Sequence, residues 1–186
     1  MTDKFPDKLI EHFSLTDRLD ALPRSGYLLN GIRQPETIAS HIFSVSYLTM
    51  LVGRYLKESG MALDLEKALQ MALLHEDGEI FIGDLTLEAK RILGNDVKIN
   101  AEKEAGGTFL SNIDEGLKEV FHEFLEKASN EAKLVADCDA LQLLFKCNCY
   151  RLEGNQRIHE FMQPEKYSFF YSVCSDTAEK IFESMK

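Results

Sequence analysis

Between Glu36 and Ser59, apolar side chains recur at Ile38, Val45, Leu48, Val52 and Leu56. Steps of three, four and seven draw one stripe down a long helix, and that stripe must be buried against other helices. The same period continues elsewhere, and no run of alternating β-branched residues sits between turn signals. An all-α, single-domain helical bundle is expected, and 186 residues suffice for a sizeable core.

Further helices are expected at Leu9–Leu22, Leu65–His75, Glu88–Leu93, Ala101–Asn112, Glu115–Ala128, Glu131–Leu152 and Ser168–Ser184. Asp64 is placed to cap the Leu65–His75 segment. Three of the four prolines, Pro6, Pro23 and Pro35, fall near helix starts. On the Glu131–Leu152 helix, Leu134, Cys138, Leu141, Phe145 and Cys149 are expected inward. Gly106-Gly107 reads as a break, Gly78 as a loosening of the chain, and Gly154–Lys166 as a polar break holding Pro164.

Composition narrows the function classes. The net charge of −10 argues against a nucleic-acid polymer as partner, while leaving room for a local basic pocket. No apolar run approaches the length of about eighteen residues needed to span a membrane. Met1 to Lys8 lacks the apolar core of a secretion signal, so a cytoplasmic location is expected. Cys138, Cys147, Cys149 and Cys174 then read as reduced thiols. Cys147-x-Cys149 lacks the second ligand pair of a zinc site.

The chemistry concentrates in His75-Glu76-Asp77-Gly78-Glu79, directly after the apolar Met71-Ala72-Leu73-Leu74. His75 and Glu79 are one helical turn apart. His41 continues the stripe between Ile38 and Val45, where a polar residue is costly without a partner. A carboxylate on the apolar helix near Cys138 is equally costly. Asp137 and Asp139 compete there, and periodicity alone slightly prefers Asp137.

Three ordered segments carry a resemblance. Asn30-Gly31-Ile32-Arg33-Gln34-Pro35-Glu36-Thr37-Ile38-Ala39-Ser40-His41 resembles the proline–glutamate–x–x–x–x–His segment of the 5′-deoxynucleotidase group of HD-domain phosphohydrolases. Leu73-Leu74-His75-Glu76-Asp77-Gly78-Glu79-Ile80-Phe81-Ile82-Gly83-Asp84-Leu85 is similar to that group's Leu-x-His-Asp-x-x-Glu-x-x-x-x-Asp-Leu block. Lys133 to Gly154 is similar to its last motif without a gap, and in that register Asp139 takes the ligand's place. The resemblance covers about residues 18 to 155.

The resemblance implies an HD-domain bundle that hydrolyses nucleoside 5′-monophosphates, with deoxynucleotides as the expected substrates, and acts as a homodimer. His41, His75, Glu76 and Asp139 would hold one divalent transition metal. Glu79 would position or deprotonate the attacking water, and Asp84 would assist near the leaving group or sugar. Arg24 or Arg33 would hold the phosphate, and Tyr27 stands where relatives carry an aromatic residue against the nucleoside. One departure is plain: the group's His-Asp pair is His75-Glu76 here, with Asp77 as a competing ligand. A catalytically weak metal- or nucleotide-binding protein is therefore the alternative. A mixed set of imidazoles and carboxylates suits Mn, Fe, Co, Ni or Zn better than Mg or Ca. Two carboxylates cancel the charge of such an ion, so a bound phosphate needs further cations at the rim.

Overall fold

A computed structural model describes residues 4–185, apart from the side chain of Asn95. Helices dominate it. The N-terminal segment holds α1 (Phe5–Thr16), α2 (Arg18–Ala21) and α3 (Ser25–Leu29), and α4 (Ile38–Glu58) and α5 (Leu65–Leu74) follow. After them come α6 (Glu79–Ile82), α7 (Leu87–Leu93), α8 (Asn95–Ser111), α9 (Glu115–Glu126) and α10 (Asn130–Leu152). Two 3-10 turns, Arg157–Phe161 and Pro164–Lys166, lead to α11 (Ser172–Glu183). No strand forms among the described residues, and the one extended pairing is an isolated bridge between Pro23 and Thr37.

The long helices are set by their ends. Thr37 caps α4 by accepting from the Ser40 N–H, and Ser40 returns the bond to the Thr37 N–H. Asp64 caps α5 through the Lys67 N–H, as its position predicts. Helices α4, α5 and α10 pack on one another around Val45, Leu56, Ala68, Met71, Leu134 and Cys138. A second core holds Ile38, Ile42, Ile80, Phe109 and Phe121. His41, on α4, and His75, at the end of α5, stand where elements of these two cores meet.

Several local expectations are corrected. The predicted Leu9–Leu22 helix starts earlier and divides at Asp17 into α1 and α2. Pro23 stands two residues before the short α3, near a helix start as expected. The inward stripe of α10 turns after Leu141: Phe145 and Cys149 are exposed, whereas Leu144 and Cys147 are buried. The cause is a change of partner. Leu144 packs on Cys174, Ala178 and Ile181 of α11, and Cys147 packs with Ile158 and Met162 of the 3-10 segment. Leu73, one of the apolar residues before His75, is also exposed.

Gly78, Gly106 and Gly107 are points of close contact rather than a loosening and a break. Gly106 and Gly107 lie inside α8, not at a break. A Cβ on Gly106 would stand 2.6 Å from the Phe121 ring, and one on Gly107 2.6 Å from His122 Nε2. Gly78 has ordinary helical backbone angles rather than a loosened one, and a Cβ there would meet the Glu102 backbone at 3.0–3.1 Å. Helix α8 therefore lies backbone to backbone against the turn that carries His75 to Glu79.

Candidate metal centre

Two chain segments arrive beside each other at the N-terminal end of α4. Arg24 N–H donates to Glu36 O at 3.0 Å and Ile38 N–H to Leu22 O at 2.9 Å. This clip holds Arg24 next to the helix that carries His41. The C-terminal end of α5 arrives from the other side. His75 terminates that helix, and a tight turn follows, closed by Asp77 N–H to Leu74 O and Glu79 N–H to Glu76 O, both 2.9 Å.

His41 Nε2 and His75 Nε2 face each other at 3.2 Å. Glu76 Oε1 lies 3.6 Å from the first and 3.9 Å from the second. The ligand atoms of these three residues all lie within 4.8 Å of one another. Asp139, on α10, joins from the outer side, with Oδ1 3.2 Å from His41 Nε2 and 40% of its side chain exposed. Asp77 is buried but is not part of this group. Asp137 is buried as periodicity predicts, yet its carboxylate accepts from the Phe170 and Tyr171 N–H groups at 3.0 and 2.9 Å. It ties α10 to the chain before α11.

The donor set fits a divalent cation. His75 Nδ1 lies 2.8 Å from Ala72 O. A carbonyl can only accept, so Nδ1 carries the proton and the Nε2 lone pair points inward. His41 Nδ1 is likewise engaged, with Gln142 Oε1 at 2.8 Å. Two nitrogen donors and two carboxylates then converge, an arrangement that favours a positive centre among them. Imidazole bonds of about 2.0–2.1 Å are compatible with the observed spacing.

The two histidines differ in protonation. Burial lowers the His75 pKa and keeps the ring neutral. For His41, burial and Arg24 act downward, but Asp139 and Glu76 outweigh them and the pKa rises. Burial acts to raise Glu76 and Asp139, yet the imidazoles and Arg24 outweigh it and both stay ionised. Arg24 is surrounded by carboxylates: its Nη1 lies 3.1 Å from Glu76 Oε1 and 3.9 Å from Asp84 Oδ1. Asp84 also accepts from the Ser25 N–H.

Glu79 is 2% exposed, and its Oε2 has no hydrogen-bond partner. Burial, then Glu76 and Asp84, push its pKa up to about 10. A divalent ion beside Glu76 opposes that shift and frees the carboxylate to accept a proton.

A cavity of about 260 Å³ opens beside Arg24 and Asp84. Tyr27 reaches it only partly, since the ring is 2% exposed and makes edge contacts with Tyr150 and Phe161. Phe161, Leu143 and Tyr167 form the apolar wall, and Lys90 and Lys166 add cations. Sequence reading missed Phe161 and Tyr167 because they belong to the segment of 3-10 turns, which leaves no helical periodic signal. Of the two candidate arginines, Arg24 joins the cluster. Arg33 is exposed on a separate cleft with Glu36 and Lys146.

Comparison with known proteins agrees with this architecture. A profile of the HD domain family matches residues 16–185. The 5′-deoxynucleotidase HDDC2 of Dictyostelium discoideum is 25% identical over 182 residues, covering 95% of this chain and 93% of that protein. The 5′-deoxynucleotidase hdd1 of Schizosaccharomyces pombe is 27% identical over 161 residues, covering 82% and 78%. The crystal structure of the PH0347 protein from Pyrococcus horikoshii superposes with a TM-score of 0.80 at 30% identity, covering 94% and 98% of the two chains. With two helices presenting facing histidines and a family profile spanning nearly the whole chain, the protein belongs to the HD domain family.

Proposed function

We propose that the protein is a metal-dependent phosphomonoester hydrolase that cleaves nucleoside 5′-monophosphates, deoxynucleotides foremost, to nucleoside and phosphate. The observation that carries this reading is the convergence of His41, His75, Glu76 and Asp139 beside a cavity that holds Arg24. The names of the relatives support the substrate class.

In this reading His41, His75, Glu76 and Asp139 hold one Mn, Fe, Co, Ni or Zn ion. Such an ion, when bound, supplies a Lewis acid for the phosphoryl group and for the attacking water. Arg24 binds phosphoryl oxygens and offsets the surrounding carboxylates. Glu79 receives the proton of the water at its unpartnered Oε2. Asp84, held by the Ser25 N–H, stands on the cavity side to support the leaving 5′ oxygen or the sugar. Phe161 and Tyr167, with the edge of Tyr27, pack on the nucleoside, and Lys90 and Lys166 add positive charge to the mouth.

The test is phosphate release from dAMP, dGMP, dCMP, TMP and the ribonucleotides, with triphosphates and cyclic nucleotides alongside. Faster turnover of a triphosphate or a cyclic dinucleotide would overturn the substrate class.

No helix among the described residues is long and apolar enough to cross a membrane. The outer face of α4 nonetheless exposes Phe43 (70%), Tyr47, Leu51 and Tyr55 at steps of four. A contiguous apolar stripe of this kind marks an interaction surface, and a second copy of the chain is the partner the reading assigns. Light scattering of wild type against Phe43→Asp tests it: a monomeric wild type removes this assignment.

A further inference from the structure

His41 has neighbours that lie outside the four ligands. Gln142 Oε1 stands 2.8 Å from its Nδ1, and Gln142 Nε2 donates to Glu36 Oε2 at 2.8 Å. Both residues are buried, Gln142 at 4% and Glu36 at 8% exposure. Glu36 is itself anchored: its N–H donates to Tyr150 Oη at 2.8 Å, and Lys146 Nζ lies 4.0 Å from Oε2.

An amide can present either end to an imidazole, and only its hydrogen-bond network decides which. An ionised carboxylate can only accept. Glu36 therefore claims the NH2 end of Gln142, and the carbonyl end is left for His41. With an acceptor at Nδ1, that nitrogen must carry the proton, and the Nε2 lone pair is directed at His75, Glu76 and Asp139. His75 needs no such arrangement, because its Nδ1 faces a backbone carbonyl that cannot turn over.

We propose that Glu36 and Gln142 are positioning residues for the metal centre: Glu36 orients the Gln142 amide, and Gln142 thereby holds His41 in its ion-binding tautomer. The proposal rests on the reading of the histidine–carboxylate cluster as a divalent-ion site. Outer partners of this kind are generally worth 10–100-fold in metal affinity.

The dependence has a distinctive form. A glutamate at position 142 offers only acceptor oxygens to His41 and cannot be misoriented. Glu36 should then aid binding when residue 142 is glutamine and give no aid when it is glutamate, where the two carboxylates face each other and repel. A residue that merely filled space would matter equally in both backgrounds.

The experiment titrates Co²⁺ into metal-free protein and follows its visible absorption, which reports affinity and ligand field without reference to turnover. The proteins are wild type, Gln142→Met, Gln142→Glu, Glu36→Met and the double variant Glu36→Met with Gln142→Glu. Thermal melts check that each is folded. Gln142→Met is expected to weaken binding by about 10–100-fold. Glu36→Met is expected to weaken it several-fold, and the double variant to bind no more weakly than Gln142→Glu does. Equal losses from Glu36→Met in both backgrounds, or no loss from Gln142→Met, would overturn the positioning role while leaving the metal site standing. Absence of Co²⁺ binding by wild type would instead remove the metal reading and this proposal with it. If Gln142→Met fails to fold, the comparison of Glu36→Met in the two backgrounds decides alone.

Discussion

His41 and His75 present their Nε2 atoms to each other across 3.2 Å, from two different helices, with each Nδ1 already bound elsewhere. The two lone pairs repel, and packing with the Nδ1 bonds holds them together until a cation binds between them. Metal addition should therefore stabilise the fold, by about 2.7 kcal/mol at an ion concentration one hundred times Kd. Melting curves with and without Mn, Co, Ni or Zn measure this. His41→Ala and His75→Ala should lose both the bound ion and the stabilisation; a wild type that retains none of these ions after dialysis would remove the site.

Glu79 should separate chemistry from binding. Its Oε2 is unpartnered and buried, and it is not one of the converging ligand atoms. Glu79→Gln should keep the ion and lose roughly 10²–10⁴ in kcat. Loss of metal together with rate would make Glu79 a ligand.

Glu76 reaches three groups at once: Arg24 at 3.1 Å and the two imidazoles at 3.6 and 3.9 Å. Glu76→Ala should strip the ion, whereas Asp77→Asn should leave it bound. Glu76→Asp shortens the side chain by one methylene and should lower both metal affinity and rate, because the surrounding packing has formed around the longer residue. Higher phosphatase activity in Glu76→Asp would mean instead that the site works better with the shorter acid.

The two arginines should differ sharply. Arg24→Ala removes the guanidinium beside Glu76 and Asp84 and should raise KM for a monophosphate at least tenfold. Arg33→Ala, on its own exposed cleft, should leave KM within about twofold, a change near the noise of surface substitutions. Steady-state kinetics on one deoxynucleotide read both.

In metal-free protein, stability should fall as pH rises. Burial, then Glu76, raises the Asp77 pKa from 3.8 to about 7, and burial first raises Glu79 to about 10. A folded-state pKa above the unfolded one means that folding holds the proton. The stabilisation is complete below about pH 4 and is lost as pH climbs through 7 and then 10. Asp77→Asn should match wild type near pH 4 and exceed it at pH 8 by up to about 4 kcal/mol, at about 1.36 kcal/mol per unit. Denaturant melts at the two pH values test the sign; a variant less stable than wild type at pH 8 would contradict it.

The centre was readable where polar residues violate an apolar pattern. His41 breaks the stripe of α4, and His75 ends the apolar face of α5. Periodicity slightly prefers Asp137, which is the more buried, but it cannot show what either carboxylate meets, because the partners are distant in sequence. Only the register of the resembling motif pointed to Asp139. Gln142 lies one turn beyond Asp139 and carries no signal of its own until Glu36 and His41 are seen on either side of it. The cavity wall of Phe161 and Tyr167 was hidden for another reason: 3-10 turns lack the 3.6-residue repeat by which helices are recognised.

The bare-backbone contact between α8 and the Gly78 turn inverts a common rule of protein engineering. Replacing a helical glycine by alanine ordinarily gains up to about 1 kcal/mol in helix propensity. At Gly106 the added methyl would strike Phe121, and Gly78 N lies 3.2 Å away, within one residue of Asp77. A thermostabilisation campaign that exchanged this glycine would wedge α8 away from the segment holding His75, Glu76 and Glu79, and would lose activity in the same step as stability.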